Sequence, residues 1–155
     1  MNAQQMEIRS ATAQDIPALA DNRLEFVTLL GGLDDAEAFR TAVETYLNAH
    51  ISDGALITRI AVENGEIVSS CILSVYTVLP TRSNLQGKTA VLYNVYTKQA
   101  YRRKGLAQTL LRELIDEARA AGVGKILLDY TSDGYPLYQK LGFSELAHQM
   151  ELNLD

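Results

Sequence analysis

Thr97-Lys98-Gln99-Ala100-Tyr101-Arg102-Arg103-Lys104-Gly105-Leu106-Ala107 is the stretch where this chain passes from strand-like to helix-like sequence. Upstream, Thr89 to Thr97 is rich in β-branched and aromatic residues and reads as a buried strand. Downstream, Leu106, Leu110 and Leu114 share a helical face with Ala107, Leu111, Ile115 and Ala118 beside them. The spacing predicts a long helix from about Lys104 to Ala121, stopped by Gly122. Arg102, Arg103 and Lys104 crowd its start, where the helix dipole is already positive. A bound polyanion removes that conflict, because helix N-termini and loop N–H groups hold phosphate. Gly105 has no side chain to block ligand oxygens, and Ala107 is nearly as small. The competing reading is a solvated basic turn whose glycine only eases the bend.

The charge pattern around this junction points the same way. The chain carries a net charge of −5, yet Ile67 to Arg112 contains no Asp or Glu. That span carries Arg82, Lys88, Lys98, Arg102, Arg103, Lys104 and Arg112, so it is +7 and the remainder is −12. A globally acidic protein with an acid-free basic middle argues against general nucleic-acid binding and, on charge alone, fits a local anion site or a chance solvated basic edge. Gly87-Lys88-Thr89 matches the end of a nucleotide P-loop but is not one. Arg82 stands where the first glycine belongs, and a strand follows instead of a helix.

Further out, elements alternate without repeats or linkers. Met6 to Arg9 reads as a strand, Asp15 to Leu30 and Asp34 to His50 as helices. Ala55 to Val62 and Ile67 to Leu79 read as strands joined by Glu63-Asn64-Gly65-Glu66, a short hairpin signal. After the long helix come a strand Lys125 to Tyr130, a short helix Asp133 to Leu141 and a last strand Gly142 to Leu152. The order βααβββαβαβ makes residues 1–155 one α/β domain with a mixed sheet. At 155 residues it needs no metal or disulfide to fold. Cys71 is the only cysteine, and His50 and His148 are the only histidines. No disulfide, Cys-rich zinc site, metalloprotease helix or nucleophile elbow is present, and no metal is expected. Met1 to Ser10 lacks an apolar signal core, and the apolar stretch Ile67 to Thr81 is too short for a membrane span. A soluble cytoplasmic protein without membrane partners is the expectation.

Arg102-Arg103-Lys104-Gly105-Leu106-Ala107 resembles the Arg/Gln-x-x-Gly-x-Gly/Ala signature of the GNAT superfamily, the Gcn5-related N-acetyltransferases. Leu137-Tyr138-Gln139-Lys140-Leu141-Gly142-Phe143 looks like that family's second signature, and Ile8-Arg9-Ser10-Ala11-Thr12 with Asp15 like its usual start. The resemblance implies a twisted, mostly antiparallel sheet whose central parallel strands, Thr89–Thr97 and Lys125–Tyr130, splay apart around acetyl-CoA. It assigns the pyrophosphate to backbone N–H groups of Arg103, Lys104, Gly105, Leu106 and Ala107. It assigns charge, including that for the 3′-phosphate, to the side chains of Arg102, Arg103 and Lys104. The strand backbone at Val95, Tyr96 and Thr97 would pair with the pantetheine arm like an added strand. An N–H near Val95 would polarise the thioester carbonyl, and Tyr138 would protonate the leaving thiolate. The competing reading of Tyr138 is a core aromatic beside Leu137 and Leu141.

Two positions depart from the family pattern. Many members carry a Glu on the strand before the anion loop, and Thr89 to Thr97 has no acid. Asn94, Tyr93 or Tyr96 can hold a water but none is a base near neutral pH, which leaves direct attack by an already neutral amine or a carboxylate from elsewhere, such as Glu25 or Asp129. Thr131 stands where the family often has a pantetheine-binding Asn. The acceptor, a small-molecule or peptide amine, would meet the first two helices and the Pro80–Lys88 loop. Asp34, Asp35, Glu37 and Glu44 suit a cation or form only a solvated helix face, and Tyr93, Tyr96, Tyr130 and Tyr135 suit an aromatic pocket or are ordinary sheet residues. Two readings follow: an acetyl-CoA-dependent N-acetyltransferase, and a non-catalytic acyl-CoA sensor or subunit of the same fold. Homodimers are common in the family.

Overall fold

Asn64 and Gly65 take φ of 54° and 75°, the paired left-handed conformation of a two-residue hairpin turn. They join β2 (Leu56–Glu63) to β3 (Glu66–Thr77), the centre of a five-stranded sheet. The computed structural model describes residues 6–154. The reading of the chain start as free of a signal segment therefore lies partly outside the described residues. β1 (Glu7–Arg9) lies antiparallel on β2, and β4 (Lys88–Thr97) antiparallel on β3. β5 (Lys125–Leu127) is parallel to β4, so the sheet runs β1 to β5 in chain order with one parallel pair. The resulting fold is mixed α/β and mostly antiparallel, as expected.

β3 is buried along most of its length because helices cover both faces. On one face α1 (Ile16–Leu30) and α2 (Ala36–His50) bring Ile16, Leu19 and Leu47 against Ile60, Ile67 and Ile72. On the other, α3 (Leu106–Ala120) packs Leu110, Leu111, Leu114 and Ala118 against Val68, Cys71, Leu73, Ala90 and Leu92. The leucine stripe seen in the sequence is thus core, each fully buried leucine contributing about 1.5–3 kcal/mol. Asp15 ties the chain start to α1. It accepts hydrogen bonds from both terminal nitrogens of Arg9 (2.6 and 2.9 Å) and from the Thr12 N–H (2.7 Å). The Arg9 guanidinium above all, and the Thr12 N–H, hold its carboxyl down at about 2.

The end of the chain departs from expectation. β5 stops at Leu127 rather than Tyr130, and α4 is confined to Tyr135–Lys140. The last strand expected over Gly142 to Leu152 is absent, so the order is βααβββαβα. Met150, Leu152 and Leu154 alternate as a strand should, but they are 94%, 82% and 88% exposed. His148 takes φ of 67°, which interrupts the extended run. A cavity of about 1340 Å3, lined by residues 123–130 and by Leu141 to Ala147, lies along β5 where a further strand would pair. Among the described residues, no helix is long and apolar enough to cross a membrane.

Candidate active site

β4 and β5 pair at Thr89–Lys125, Ala90–Ile126 and Val91–Leu127, and then part. The cause lies in β4. Its pairing to β3 jumps from Ser70–Tyr96 to Ile72–Tyr93, so Asn94 and Val95 together face Cys71. This is a bulge, and bulges bend the strand that carries them. Asn94 supplies the required left-handed turn at φ of 56°, which Asn tolerates better than the β-branched residues around it. Its buried amide donates to Asn22 Oδ1 (3.0 Å) and Ser70 Oγ (2.9 Å), which pins the bulge to α1 and β3. Among the described residues, the β4 backbone beyond Val91, including Val95, Tyr96 and Thr97, has no strand on its β5 side. The splay is as expected. The sequence alone suggests Asn94 only as a water holder, and the signal for its role in the bulge is an Asn inside a β-branched and aromatic run.

From Thr97 the chain turns through a short 3-10 helix, Gln99–Tyr101, into the basic loop. Arg103 and Gly105 take φ of 63° and 75°, which turns successive N–H groups towards one side as an anion nest does. Among the described residues, the N–H groups of Arg103, Lys104, Gly105, Leu106 and Ala107 find no hydrogen-bond partner; Thr109, donating to the Gly105 carbonyl at 3.0 Å, is the first that does. Arg102, Arg103 and Lys104 are exposed and enter no ion pair among the described residues, whereas Lys98 is held by Glu66 at 2.7 Å. Arg102 Nε donates to the Thr97 carbonyl at 2.8 Å, joining strand end to loop. A Cβ on Gly105 would meet no protein atom within 4 Å, so the space above it is open. Leu106 is half-buried and packs on the core.

Tyr138 projects from α4 and is half-buried, edge-on to Phe143 with ring centroids 5.8 Å apart. Burial first, and the neighbouring Cys71 second, push its phenol up to about 12. Thr131 is exposed, and its hydroxyl accepts the Gly134 N–H at 3.2 Å, so it starts the α4 turn. Sequence reading missed Gly134. A Cβ there would come within 2.8 Å of Tyr138 Cε2, so this glycine sets where the phenol lies. At φ of −83° alanine is unstrained in the backbone, and Gly134→Ala therefore acts through the Tyr138 ring. If Tyr138 is a proton donor, turnover should fall roughly tenfold as the displaced hydroxyl loses its alignment. The fall should be absent when the same change is made in a Tyr138→Phe background, and steady-state rates of the four proteins decide it.

On the α1 side, Glu25 accepts a hydrogen bond from Tyr96 at 2.6 Å, and Phe26 stacks on the same ring at 5.1 Å. Burial and Glu25 push the Tyr96 phenol up to about 12. Glu25 thus reaches β4 beside the bulge, while Asp129 lines the 1340 Å3 cavity along β5. A second cavity, about 470 Å3, lies between α1, α2 and the sheet, with Arg23 and Tyr93 on its wall. The acidic residues of α2 do not line it. Asp35 caps the Ala38 N–H at 3.0 Å, Glu44 pairs with Arg40 at 2.8 Å, and Asp34 and Glu37 are exposed. The four tyrosines do not form one pocket either, since Tyr130 and Tyr135 pack together at 4.8 Å on the first cavity. Cys71 is buried in the core, and His50 bonds Asp53 at 2.7 Å on the surface.

Comparison with known proteins gives a consistent result. The model of the Acetyltransferase (GNAT) family matches residues 24–143. A predicted acetyltransferase from Clostridium acetobutylicum, crystallised with acetyl-CoA, superposes with a TM-score of 0.87 at 28% identity, over 96% of each chain. A GCN5-related N-acetyltransferase from Ralstonia eutropha JMP134 shares the fold, with a TM-score of 0.83 at 24% identity over 96% of this chain and 99% of that one. Glucosamine 6-phosphate N-acetyltransferase of Trypanosoma brucei brucei is 36% identical over 62 residues, 40% of this chain and 41% of that protein. The ribosomal protein bS18-alanine N-acetyltransferase of Escherichia coli K12 is 37% identical over 59 residues, 36% and 40% of the two lengths. The chain thus spans about two-fifths of the length of the curated relatives it matches.

Proposed function

The chain belongs to the GNAT acetyltransferase family, and from that premise we propose that it transfers an acetyl group from acetyl-CoA to a primary amine. The observation that carries the proposal is the run of unpartnered N–H groups from Arg103 to Ala107, continuous with the open edge of β4. Those groups fit a pyrophosphate and Gly105 leaves it room, while the unpaired Arg102, Arg103 and Lys104 side chains fit the remaining phosphate charge. The backbone of Val95 to Thr97 is the free strand edge along which a pantetheine arm pairs.

Catalysis then falls to a few groups. The neutral amine nitrogen bonds the acetyl carbon as the carbon–sulfur bond breaks; nitrogen gives up a proton and sulfur gains one. The Val95 N–H at the bulge polarises the carbonyl. Glu25, held on β4 by Tyr96, is the carboxylate placed to accept the amine proton. Tyr138 donates its hydrogen bond to the departing sulfur. The non-catalytic alternative rested on the acid-free β4, and α1 supplies the missing carboxylate.

Acetyl-CoA at ~100 times its Kd should add ~2.7 kcal/mol, roughly 5–10 °C of Tm for a chain this size. Dephospho-CoA should bind more weakly. Calorimetry with both, and thiol release across a panel of amines, test the reading. No heat and no melting shift at millimolar acetyl-CoA would overturn it.

A further inference from the structure

The cavity of about 470 Å3 holds a single formal charge, the guanidinium of Arg23. Arg23 lies half-buried between two rings, its Cζ 5.5 Å from the centroid of Phe39 and 5.7 Å from that of Tyr93. Burial lowers its pKa from the ordinary value, yet an arginine stays cationic. Among the described residues it has no carboxylate partner, and its hydrogen bond is a long one, Nη1 to Asn94 Oδ1 at 3.4 Å. Arg9, Arg40, Arg59 and Arg119 are all paired with Asp or Glu. A planar fork of donors, desolvated and without a counter-ion, is what a bound carboxylate completes.

The rest of the wall limits the body of the ligand. Ala42, Val43, Leu47, Ile72 and Val91 are apolar, and the Tyr46 hydroxyl is spent on Ser74 Oγ at 2.9 Å. A hydroxyl-rich sugar would lose its hydrogen bonds to water here and regain few. Direction matters too. Ile72 pairs with Tyr93 and Ser74 with Val91, so the cavity runs down the strands away from the bulge, about 7 Å over two residues. Arg23, in contact with Asn94, stands at the bulge end. The anionic group of the acceptor therefore lies close to the nitrogen being acetylated, and its apolar part lies further off.

We propose that the acceptor is a free α-amino acid with an apolar side chain. Arg23 takes the carboxylate, the α-nitrogen lies at the β4 bulge, and the side chain fills the cavity. This rests on the acetyltransferase reading above and names its substrate class. The α-ammonium first loses a proton to become nucleophilic. Nitrogen then bonds the acetyl carbon, the carbon–sulfur bond breaks, and nitrogen loses a second proton while sulfur gains one. The products are an N-acetyl amino acid and the CoA thiol, with one proton released overall. The acidic face of α2, which suggested a cationic acceptor, points its charges elsewhere.

The experiment compares thiol release from acetyl-CoA with L-leucine, L-phenylalanine, leucinamide, phenethylamine, glucosamine 6-phosphate and an alanine-initiated peptide. Leucine should exceed leucinamide in kcat/KM by on the order of 10²-fold, since losing the carboxylate strands a desolvated cation. Arg23→Gln should raise KM for leucine by a similar factor with little change in kcat, erase the leucine–leucinamide difference, and leave acetyl-CoA calorimetry unchanged. Equal or better use of leucinamide, phenethylamine, the sugar phosphate or the peptide by the unaltered chain would overturn the proposal, whatever the variant's stability. If no amine turns over, calorimetry of L-leucine into the CoA-saturated protein decides, and no heat overturns it. Acetyl-CoA failing to bind sinks the acetyltransferase reading itself. Acetyl-CoA binding with no preference for the carboxylate sinks this inference alone.

Discussion

Gly105→Val is expected to remove acetyl-CoA binding and to destabilise the protein as well. The two effects have separate causes. A Cβ at this position meets no protein atom within 4 Å, so the valine methyls occupy only the space above the nest, where phosphate oxygens would sit. A helix start ordinarily tolerates valine at modest cost, but Gly105 holds φ of 75°, which a β-branched residue adopts with strain of about 1–3 kcal/mol. Gly65 is a matched control, with the same φ of 75°, equally open space and a place in the β2–β3 hairpin. Gly65→Val should lower Tm by a comparable amount and bind acetyl-CoA as the parent does. Gly105→Val should show no heat at acetyl-CoA concentrations that saturate both others. Parent-like affinity in Gly105→Val would mean that the pyrophosphate lies elsewhere.

Tyr138→Phe is expected to lower turnover by ~10²-fold or more, within the range for a positioned proton donor, with acetyl-CoA affinity nearly unchanged. The ring stays, so its edge-on packing with Phe143 survives. The pH dependence is informative. A free phenol ionises near 10, which would place a falling limb in the rate profile there. Burial raises Tyr138 to about 12, so the hydroxyl remains protonated and the profile should show no Tyr138-dependent fall below that pH. A phenol this weakly acidic acts chiefly by hydrogen bonding to a departing thiolate, whose conjugate acid has an ordinary pKa near ~8.5. Steady-state rates from pH 7 upward, beside calorimetry, separate the outcomes. Unchanged turnover would make Tyr138 a packing residue, and equal loss of binding and turnover would make it a wall of the cleft.

The anion loop and most of the element order were legible from the sequence because their causes are local. Asn64-Gly65 dictates a hairpin within two residues. The leucine stripe of α3 repeats within each turn. Three cations before Gly105 conflict with the helix they precede, and the structure leaves them unpaired. The strand expected over Gly142 to Leu152 does not form, because alternation states only that a segment can pair. Whether it does depends on a neighbouring edge, and β5 ends at Leu127. The contacts that build the acceptor side were not legible. The Asn94 amide meets Asn22 across 72 positions and the Tyr96 hydroxyl meets Glu25 across 71. Arg23 is one of several arginines until α2 and β4 set Phe39 and Tyr93 on either side of it. By itself the sequence determined the strand–loop–helix junction, since backbone preference and charge act over a few residues. Only the tertiary structure decided which half-buried arginine stays without a counter-ion among the described residues, which carboxylate reaches β4 and how far β4 and β5 pair, because packing sets those contacts between segments far apart in the chain.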